Sequence, residues 1–272
     1  MQSWVDGQPA SALASLKDRG LAYGDGLFET IAVKAGTPLL LELHLQRLAQ
    51  GCSRLAIVAD QSLIRSELLA YAHAMGEGVL KLILTRGDSQ RGYGISPGAM
   101  PRRILQASPA AAWPEANALH GITLFDCATR LAEQPLLAGL KHLNRLEQVI
   151  ARSEWQDPAC AEGLMRDTSG RVIEGVFSNL FIVRDGVLLT ADLRRCGVAG
   201  VMRAALLAEA GRLGIPCHVT DISLAQLQQA DEVFLCNSVY GIWPVSAFTD
   251  VSWSVGPLTR KLQGIARTLL DV

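Results

Sequence analysis

The sequence lacks the features that mark several protein classes. Its six cysteines, at 52, 127, 160, 196, 217 and 236, include no Cys-x-x-Cys pair, so neither a zinc knuckle nor any other metal centre is expected. No basic-then-apolar segment opens the chain, so disulfides are not expected either, and most of the thiols read as small core residues. No apolar stretch approaches the ~20 residues of a membrane-spanning helix. Internal repeats and low-complexity segments are missing too. Charge is sparse and balanced, with 19% charged residues, a formal net charge of −1 and no run of one sign. That argues against a nucleic-acid or membrane-surface role driven by bulk electrostatics. What is present is a 49% apolar chain of 272 residues, enough for one large domain or two of moderate size. A soluble cytoplasmic protein is expected.

Turn formers from Asp18-Arg19-Gly20 to Gly26 lead into a strand over 27–33. A helix is predicted over 42–55, where Leu45, Leu48, Cys52 and Leu55 fit one face and Arg47 lies beside it. A second helix follows over 61–75. The apolar run 79–85 reads as a buried strand, and a glycine- and arginine-rich loop over 86–94 separates it from a strand over 103–107. Pro109 and Pro114 then interrupt a small-residue stretch with linker chemistry. The domains expected are therefore a smaller N-terminal α/β domain over 1–107, a linker over 108–120 and a larger C-terminal α/β domain over 121–272. In the latter, the sequence predicts a strand over 121–129 and a helix capped by Asn144 and ending near Trp155. A hairpin within 173–190 would turn at Asp185-Gly186. Gly197-Val198-Ala199-Gly200 would open a helix over 201–213, and a strand follows over 233–236. The fold class is α/β, of the α+β type.

One pair of residues carries chemistry. Lys141 sits in Gly139-Leu140-Lys141-His142-Leu143-Asn144-Arg145-Leu146-Glu147-Gln148, and 33 positions on (174 − 141) Glu174 closes Val172-Ile173-Glu174-Gly175. A lysine ahead of an apolar helix, followed by a carboxylate at a strand end, is what pyridoxal phosphate chemistry requires. The amine forms a Schiff base with the cofactor and later moves a proton, while the carboxylate keeps the pyridine nitrogen protonated. Alone, Lys141 would read as a surface charge and Glu174 as a solvated acid. Three features could hold the phosphate. Arg47 offers a planar donor fork, although most helix arginines are simply solvated. The amides of Val201 and Met202 lie at the positive end of a helix dipole behind a glycine turn. Ser178 offers a hydroxyl, which more often is only a turn residue's.

These residues match a family. The chain resembles the fold-type IV pyridoxal-phosphate enzymes, which include branched-chain aminotransferases, D-amino-acid aminotransferases and 4-amino-4-deoxychorismate lyase, from Asp18-Arg19-Gly20 to Asn237. The most specific stretch, around Lys141-His142-Leu143-Asn144, is similar to the lyase branch. So are Thr85-Arg86-Gly87 with Arg91-Gly92-Tyr93, and Ala230-Asp231-Glu232 with Cys236-Asn237. The resemblance implies two α/β domains with the cofactor site at their interface, and a homodimer. It makes Lys141 the Schiff-base lysine and Glu174 the pyridine partner. Arg47, Ser178, Val201 and Met202 become phosphate contacts, and Thr30 an aid to proton transfer. Arg91, Tyr93, Asn237 and Phe28 become substrate-binding residues, with Arg91 and Tyr93 beside a substrate carboxylate and in reach of the partner subunit's site. The implied reaction converts 4-amino-4-deoxychorismate to 4-aminobenzoate and pyruvate.

The departures from the aminotransferases are informative. D-amino-acid aminotransferases resemble this chain but typically carry tyrosine where it has Phe28, an aliphatic residue at Thr30 and histidine at Tyr93. The serine pair often seen before the asparagine is here Phe177-Ser178, which removes one phosphate hydroxyl. The rival expectation on this scaffold is an aminotransferase acting on D-amino or branched-chain acids. A non-catalytic cofactor-binding protein is the rival from another class.

Overall fold

The computed structural model describes residues 1–10, 15–90, 92–96, 98–110 and 112–271. The chain divides into two compact units. The first comprises Met1–Ala111, Leu140–Asn144 and Asp271–Val272, and the second Ala112–Gly139 and Arg145–Leu270. These boundaries differ from the domains expected from the sequence. The segment bearing Lys141 packs with the N-terminal unit, and residues 112–120 of the expected linker belong to the second unit, where part of them forms a helix. Among the described residues no helix is long and apolar enough to cross a membrane. Four of the six cysteines are buried, and Cys160 and Cys217 are half-buried.

The first unit holds β1 (Trp4–Val5), β2 (Gln8–Pro9), α1 (Arg19–Tyr23), β3 (Gly26–Lys34), β4 (Thr37–Pro38), α2 (Leu41–Leu55), α3 (Gln61–Met75), β5 (Gly78–Thr85) and β6 (Arg102–Ser108). Its sheet runs β2-β1-β6-β5-β3-β4, with antiparallel pairings throughout. In β3 the alternation is strict: Leu27, Glu29, Ile31 and Val33 are buried, while Phe28 and Thr30 lie on the other face. The helices cover the buried face. Leu41, His44, Leu48 and Cys52 recur at helical spacing along α2, as do Ile64, Leu68, Tyr71 and Ala72 along α3. Gly51 lets α2 approach β3 closely, because a Cβ there would come within 2.7 Å of the Leu27 side chain. Asp60 caps α3 by accepting the N–H groups of Ser62 and Leu63.

The second unit holds α4 (Glu115–His120), β7 (Ile122–Leu131), α5 (Leu146–Ser153), β8 (Cys160–Asp167), β9 (Val172–Gly175), β10 (Asn179–Arg184), β11 (Val187–Ala191), α6 (Val201–Arg212), β12 (Cys217–Thr220), α7 (Leu224–Gln228), β13 (Glu232–Asn237), β14 (Gly241–Phe248), β15 (Val251–Ser252) and α8 (Pro257–Leu269). Its sheet runs β12-β11-β10-β13-β14-β7-β8-β9, and a further Asn179↔Glu174 pairing joins β9 to β10. Strands β10, β13, β14, β7, β8 and β9 thus close on themselves, leaving no free edge among them. The hairpin expected at Asp185-Gly186 joins β10 and β11. Asn144 does not cap α5. Its side chain donates to the Gly24 carbonyl in the first unit (3.1 Å), and Arg145 takes the cap position, where no side chain caps the helix.

A buried arginine organises the loop after β5. Arg19, 4% exposed, donates to Asp25 (2.8 Å), to the Ser89 hydroxyl (3.1 Å) and to the carbonyls of Gly92, Tyr93 and Gly94 (3.1, 3.1 and 3.2 Å). Its guanidinium also lies over the Tyr23 ring. Three loop carbonyls therefore converge on one cation that cannot reach water. Arg19→Ala should cost about 2–3 kcal/mol of stability and speed tryptic cleavage within residues 86–94. Unchanged cleavage kinetics in a folded variant would show that the loop is held by something else.

Candidate active site

In the first unit, residues 140–144 dock beside β3. The Phe28 N–H donates to the Lys141 carbonyl (2.9 Å), the Leu143 N–H donates to the Gly26 carbonyl (3.0 Å), and Leu140 is buried in the unit's core. This seating sets the Lys141 amine 4.3 Å from the Phe28 ring centroid, at the side of the strand that also carries Thr30. A second amine shares the ring: Lys81 Nζ lies 5.5 Å from the same centroid, and Lys81 pairs with Thr30 across β3 and β5. Sequence reasoning passed over Lys81 because it interrupts an otherwise apolar strand. Its position in the β5 alternation, opposite to the buried Leu80 and Leu82, is the signal that would have found it.

Arg47 is not a solvated helix arginine. Its guanidinium donates to both oxygens of Glu29, through Nε at 2.8 Å and through Nη2. His44 Nδ1 lies 2.6 Å from Glu29 Oε2. Burial alone would raise the Glu29 carboxyl, but the Arg47 charge and then the His44 ring outweigh it and bring it down to about 2. Burial lowers the His44 ring more than Glu29 raises it, and the Arg47 and Lys141 charges add to the lowering. A neutral ring donating its Nδ1–H to Glu29 fits that balance. Tyr93 is 85% exposed, its ring 5.3 Å from that of Tyr23. Arg91 lies outside the described residues.

In the second unit, Glu174 is 3% exposed. One of its oxygens accepts the Val198 N–H (2.8 Å) and the Asn179 side-chain amide (3.4 Å), and the Arg145 charge acts on it as well. Asn179 also donates to the Val198 carbonyl (2.8 Å), so one amide ties the Glu174 strand end to the glycine turn. That turn has no room for a side chain at Gly200, where a Cβ would come within 1.9 Å of Asn179 Oδ1. Helix α6 begins immediately after it with Val201 and Met202, and no side chain caps its N-terminus. Its leading N–H groups and dipole suit an anion. Ser178, 7% exposed, donates its hydroxyl to Glu162 (2.8 Å). Asn237 shapes the turn between β13 and β14, accepting from the N–H groups of Val239 and Tyr240 (both 2.9 Å). The structure thus gathers Lys141, Phe28 and Thr30 in one unit, and Glu174, Ser178 and the α6 N-terminus in the other.

The amino-transferase class IV family model matches residues 26–248, a range that includes Phe28, Arg47, Lys141, Glu174 and the start of α6. The chain belongs to the class IV aminotransferase family. Among members of this fold-type IV family, it is 36% identical to an aminodeoxychorismate lyase of Vibrio harveyi, over 97% of this chain and 99% of the relative. A D-alanine aminotransferase of Bacillus licheniformis is 28% identical, over 91% and 88%. The crystal structure of 4-amino-4-deoxychorismate lyase from Pseudomonas aeruginosa superposes with a TM-score of 0.97 at 62% identity, covering 99% of this chain and 100% of that one. A PLP-bound hypothetical aminotransferase from Mycobacterium tuberculosis, 22% identical with a TM-score of 0.83 over 99% of each chain, shares the fold. The class IV family is dependent on pyridoxal 5'-phosphate, the cofactor expected from Lys141 and Glu174.

The Glu29 cluster makes the fold acid-sensitive. A carboxyl held near 2 stabilises fully above its unfolded value of about 4.3 and loses that contribution as pH falls toward 2. His44, lowered when folded, stabilises above its unfolded value of about 6.5 and loses that contribution as pH falls below it. Glu29→Gln should therefore cost about 3 kcal/mol at pH 7, and the difference from the parent should shrink steadily below pH ~4 in denaturant unfolding. A difference independent of pH would mean that Glu29 contributes shape alone.

Proposed function

We propose that this chain is a pyridoxal-phosphate-dependent aminodeoxychorismate lyase of folate biosynthesis, working in the cytoplasm as a homodimer. The observation that carries the activity is its likeness to lyases along its whole length, at 36% and 62% identity, well above that to the aminotransferases. The Phe28 ring against the Lys141 amine, with Thr30 on the same face of β3, agrees with it.

The residues fit the cofactor. Glu174 is a buried carboxylate fixed by N–H donors, suited to a protonated ring nitrogen, and α6 offers an N-terminus without a side-chain cap. When bound, pyridoxal phosphate supplies an aldehyde that joins an amine and a ring that takes up electron density. Lys141 Nζ is the amine that would hold it, and the same amine would take the proton from the substrate's C4. Glu174 keeps the ring nitrogen protonated. Arg47, aligned by Glu29, would hold the phosphate together with Ser178 and the amides of Val201 and Met202. The Thr30 hydroxyl passes the proton from Lys141 toward the departing group. Breaking the substrate's C3–O bond releases pyruvate, and aromatisation makes the step strongly downhill. Arg91, Tyr93, Asn237 and Phe28 would position the substrate, with Arg91 and Tyr93 serving the partner's site. A surface on α5 supports the dimer: Leu146, Val149 and Ile150, at i, i+3 and i+4, are 74%, 60% and 55% exposed. An apolar stripe of this kind is what an interface between copies would cover.

The direct test is incubation with aminodeoxychorismate, which should yield 4-aminobenzoate and pyruvate in equal amounts without an added 2-oxo acid. Turnover that depends on such an acid would mark an aminotransferase instead. Lys141→Ala should remove the cofactor's visible absorption band and lower turnover by about 10³-fold or more, while Lys81→Ala should keep the band. Glu174→Gln should retain cofactor and slow the chemical step by about 10–150-fold, the loss of one charge-assisted hydrogen bond. An undiminished rate would make Glu174 structural.

The subunit arrangement has its own test. Arg91→Ala should raise the substrate concentration needed for half-maximal rate and leave the absorption band intact. Heterodimers of Arg91→Ala and Lys141→Ala subunits should recover activity, since one site then has both residues. Confirmed heterodimers without recovery would assign Arg91 to its own subunit's site.

A further inference from the structure

Glu162, in β8, is fully buried. Its Oε1 accepts the N–H groups of Gly163 and Val176, both at 3.1 Å. Its Oε2 lies 2.8 Å from the Ser178 hydroxyl oxygen. Among the described residues no cationic side chain forms a salt bridge with it. The titratable groups that face it from neighbouring elements are the Tyr240 phenol, ahead of β14 and also against the Ser178 hydroxyl, and the Cys127 thiol of β7. Burial pushes Tyr240 well above its usual range and Cys127 up to about 12, so both are neutral at physiological pH. Gly175 leaves the pair its room. A Cβ on Gly175 would fall 2.3 Å from Ser178 Oγ and 3.1 Å from the Glu162 side chain.

A serine hydroxyl has one proton. With Glu162 ionised, that proton is committed to Oε2, and Ser178 turns only lone pairs toward an approaching anion. With a proton on Oε2, Glu162 donates to Ser178 Oγ, and the serine proton is released for an outside acceptor. The N–H groups of Gly163 and Val176 point at Oε1, and Oε2 faces the Ser178 hydroxyl, so Oε2 is the oxygen placed to carry the proton. We propose that Glu162 is a positioning residue which, as a neutral acid, turns the Ser178 hydroxyl into a donor for a phosphate ester. Binding of that phosphate is thereby coupled to a proton kept on Glu162. The inference rests on the reading of Ser178 as a phosphate contact.

Burial supports this protonation state. It drives the Glu162 carboxyl up to about 8, even though hydrogen bonds from Ser178 and from the Gly163, Phe177 and Val176 amides oppose the rise. Above that pH the bound complex must take up one proton from solvent, and affinity falls by up to about tenfold per pH unit.

The test uses the full-length chain freed of cofactor, with pyridoxine 5'-phosphate as the probe, because it lacks the aldehyde and cannot bond to Lys141. Dissociation constants are measured by calorimetry from pH 7 to 9.5 for the parent, Glu162→Gln and Ser178→Ala. In Glu162→Gln the amide nitrogen donates to Ser178 at every pH and the amide oxygen keeps the two N–H groups. The parent's affinity relative to this variant should hold steady to about pH 8 and then fall by up to about tenfold per unit. A constant ratio across the range overturns the proposal. Should Glu162→Gln not fold, proton uptake by the parent on probe binding at pH 9, read in buffers of different ionisation enthalpy, decides: it should exceed that of Ser178→Ala by about one proton, and equal uptake overturns the proposal. Parent-like affinity of Ser178→Ala at every pH would remove Ser178 from the phosphate site, a separate failure.

Discussion

The arrangement depends first on how residues 140–144 return to a strand laid down more than a hundred positions earlier. Two main-chain hydrogen bonds and the burial of Leu140 hold that segment beside β3. The Lys141 amine then stands over the Phe28 ring. A lysine has a flexible four-carbon stem, so fixing its backbone against a rigid sheet confines where its amine can be. The same strand turns Glu29 the other way, into the contact with α2. Period-two alternation therefore separates the reacting face from its electrostatic support by one residue, and a register slip would exchange the two.

Local features were legible in the sequence for local reasons. The span of α3, the Asp185-Gly186 turn and the opening of α6 by the glycine run are written in short patterns, and the structure has them. Long-range features were not. Asn144 has cap chemistry, yet its amide is drawn to Gly24, 120 positions away, and α5 starts without it. The place of residues 140–144 in the first unit failed to show for the same reason. A reading from left to right has no signal that residues 140–144 pack with strands already passed. That Arg47 is paired with Glu29 did not show, because Glu29 precedes it by 18 residues and lies on a strand.

Lys81 and Arg19 were overlooked for different reasons. Lys81 sits inside an apolar strand, where composition draws attention to burial rather than to the face it points from. Arg19 belongs to a turn-rich motif whose conformation looks sufficient by itself. Its role appears only when the carbonyls of Gly92, Tyr93 and Gly94 are seen to converge on its guanidinium. A buried cation satisfied mainly by carbonyls orders a loop without adding charge to it.

Three buried glutamates show how one residue type takes different states within a chain of net charge −1. Glu29 meets the Arg47 guanidinium and is held ionised down to about 2. Glu162 meets only neutral donors, and burial drives it up to about 8. Glu174 is fixed by an amide N–H and an asparagine, with the Arg145 charge near. The residue type is constant, so the difference comes from the partner that each strand end presents. Where a guanidinium is present the carboxylate serves as a structural anchor. Where only N–H and O–H donors are present, the acid's proton becomes part of what a neighbouring hydroxyl can do. Total charge says little about such sites, because the deciding quantity is the sign and distance of the nearest buried group.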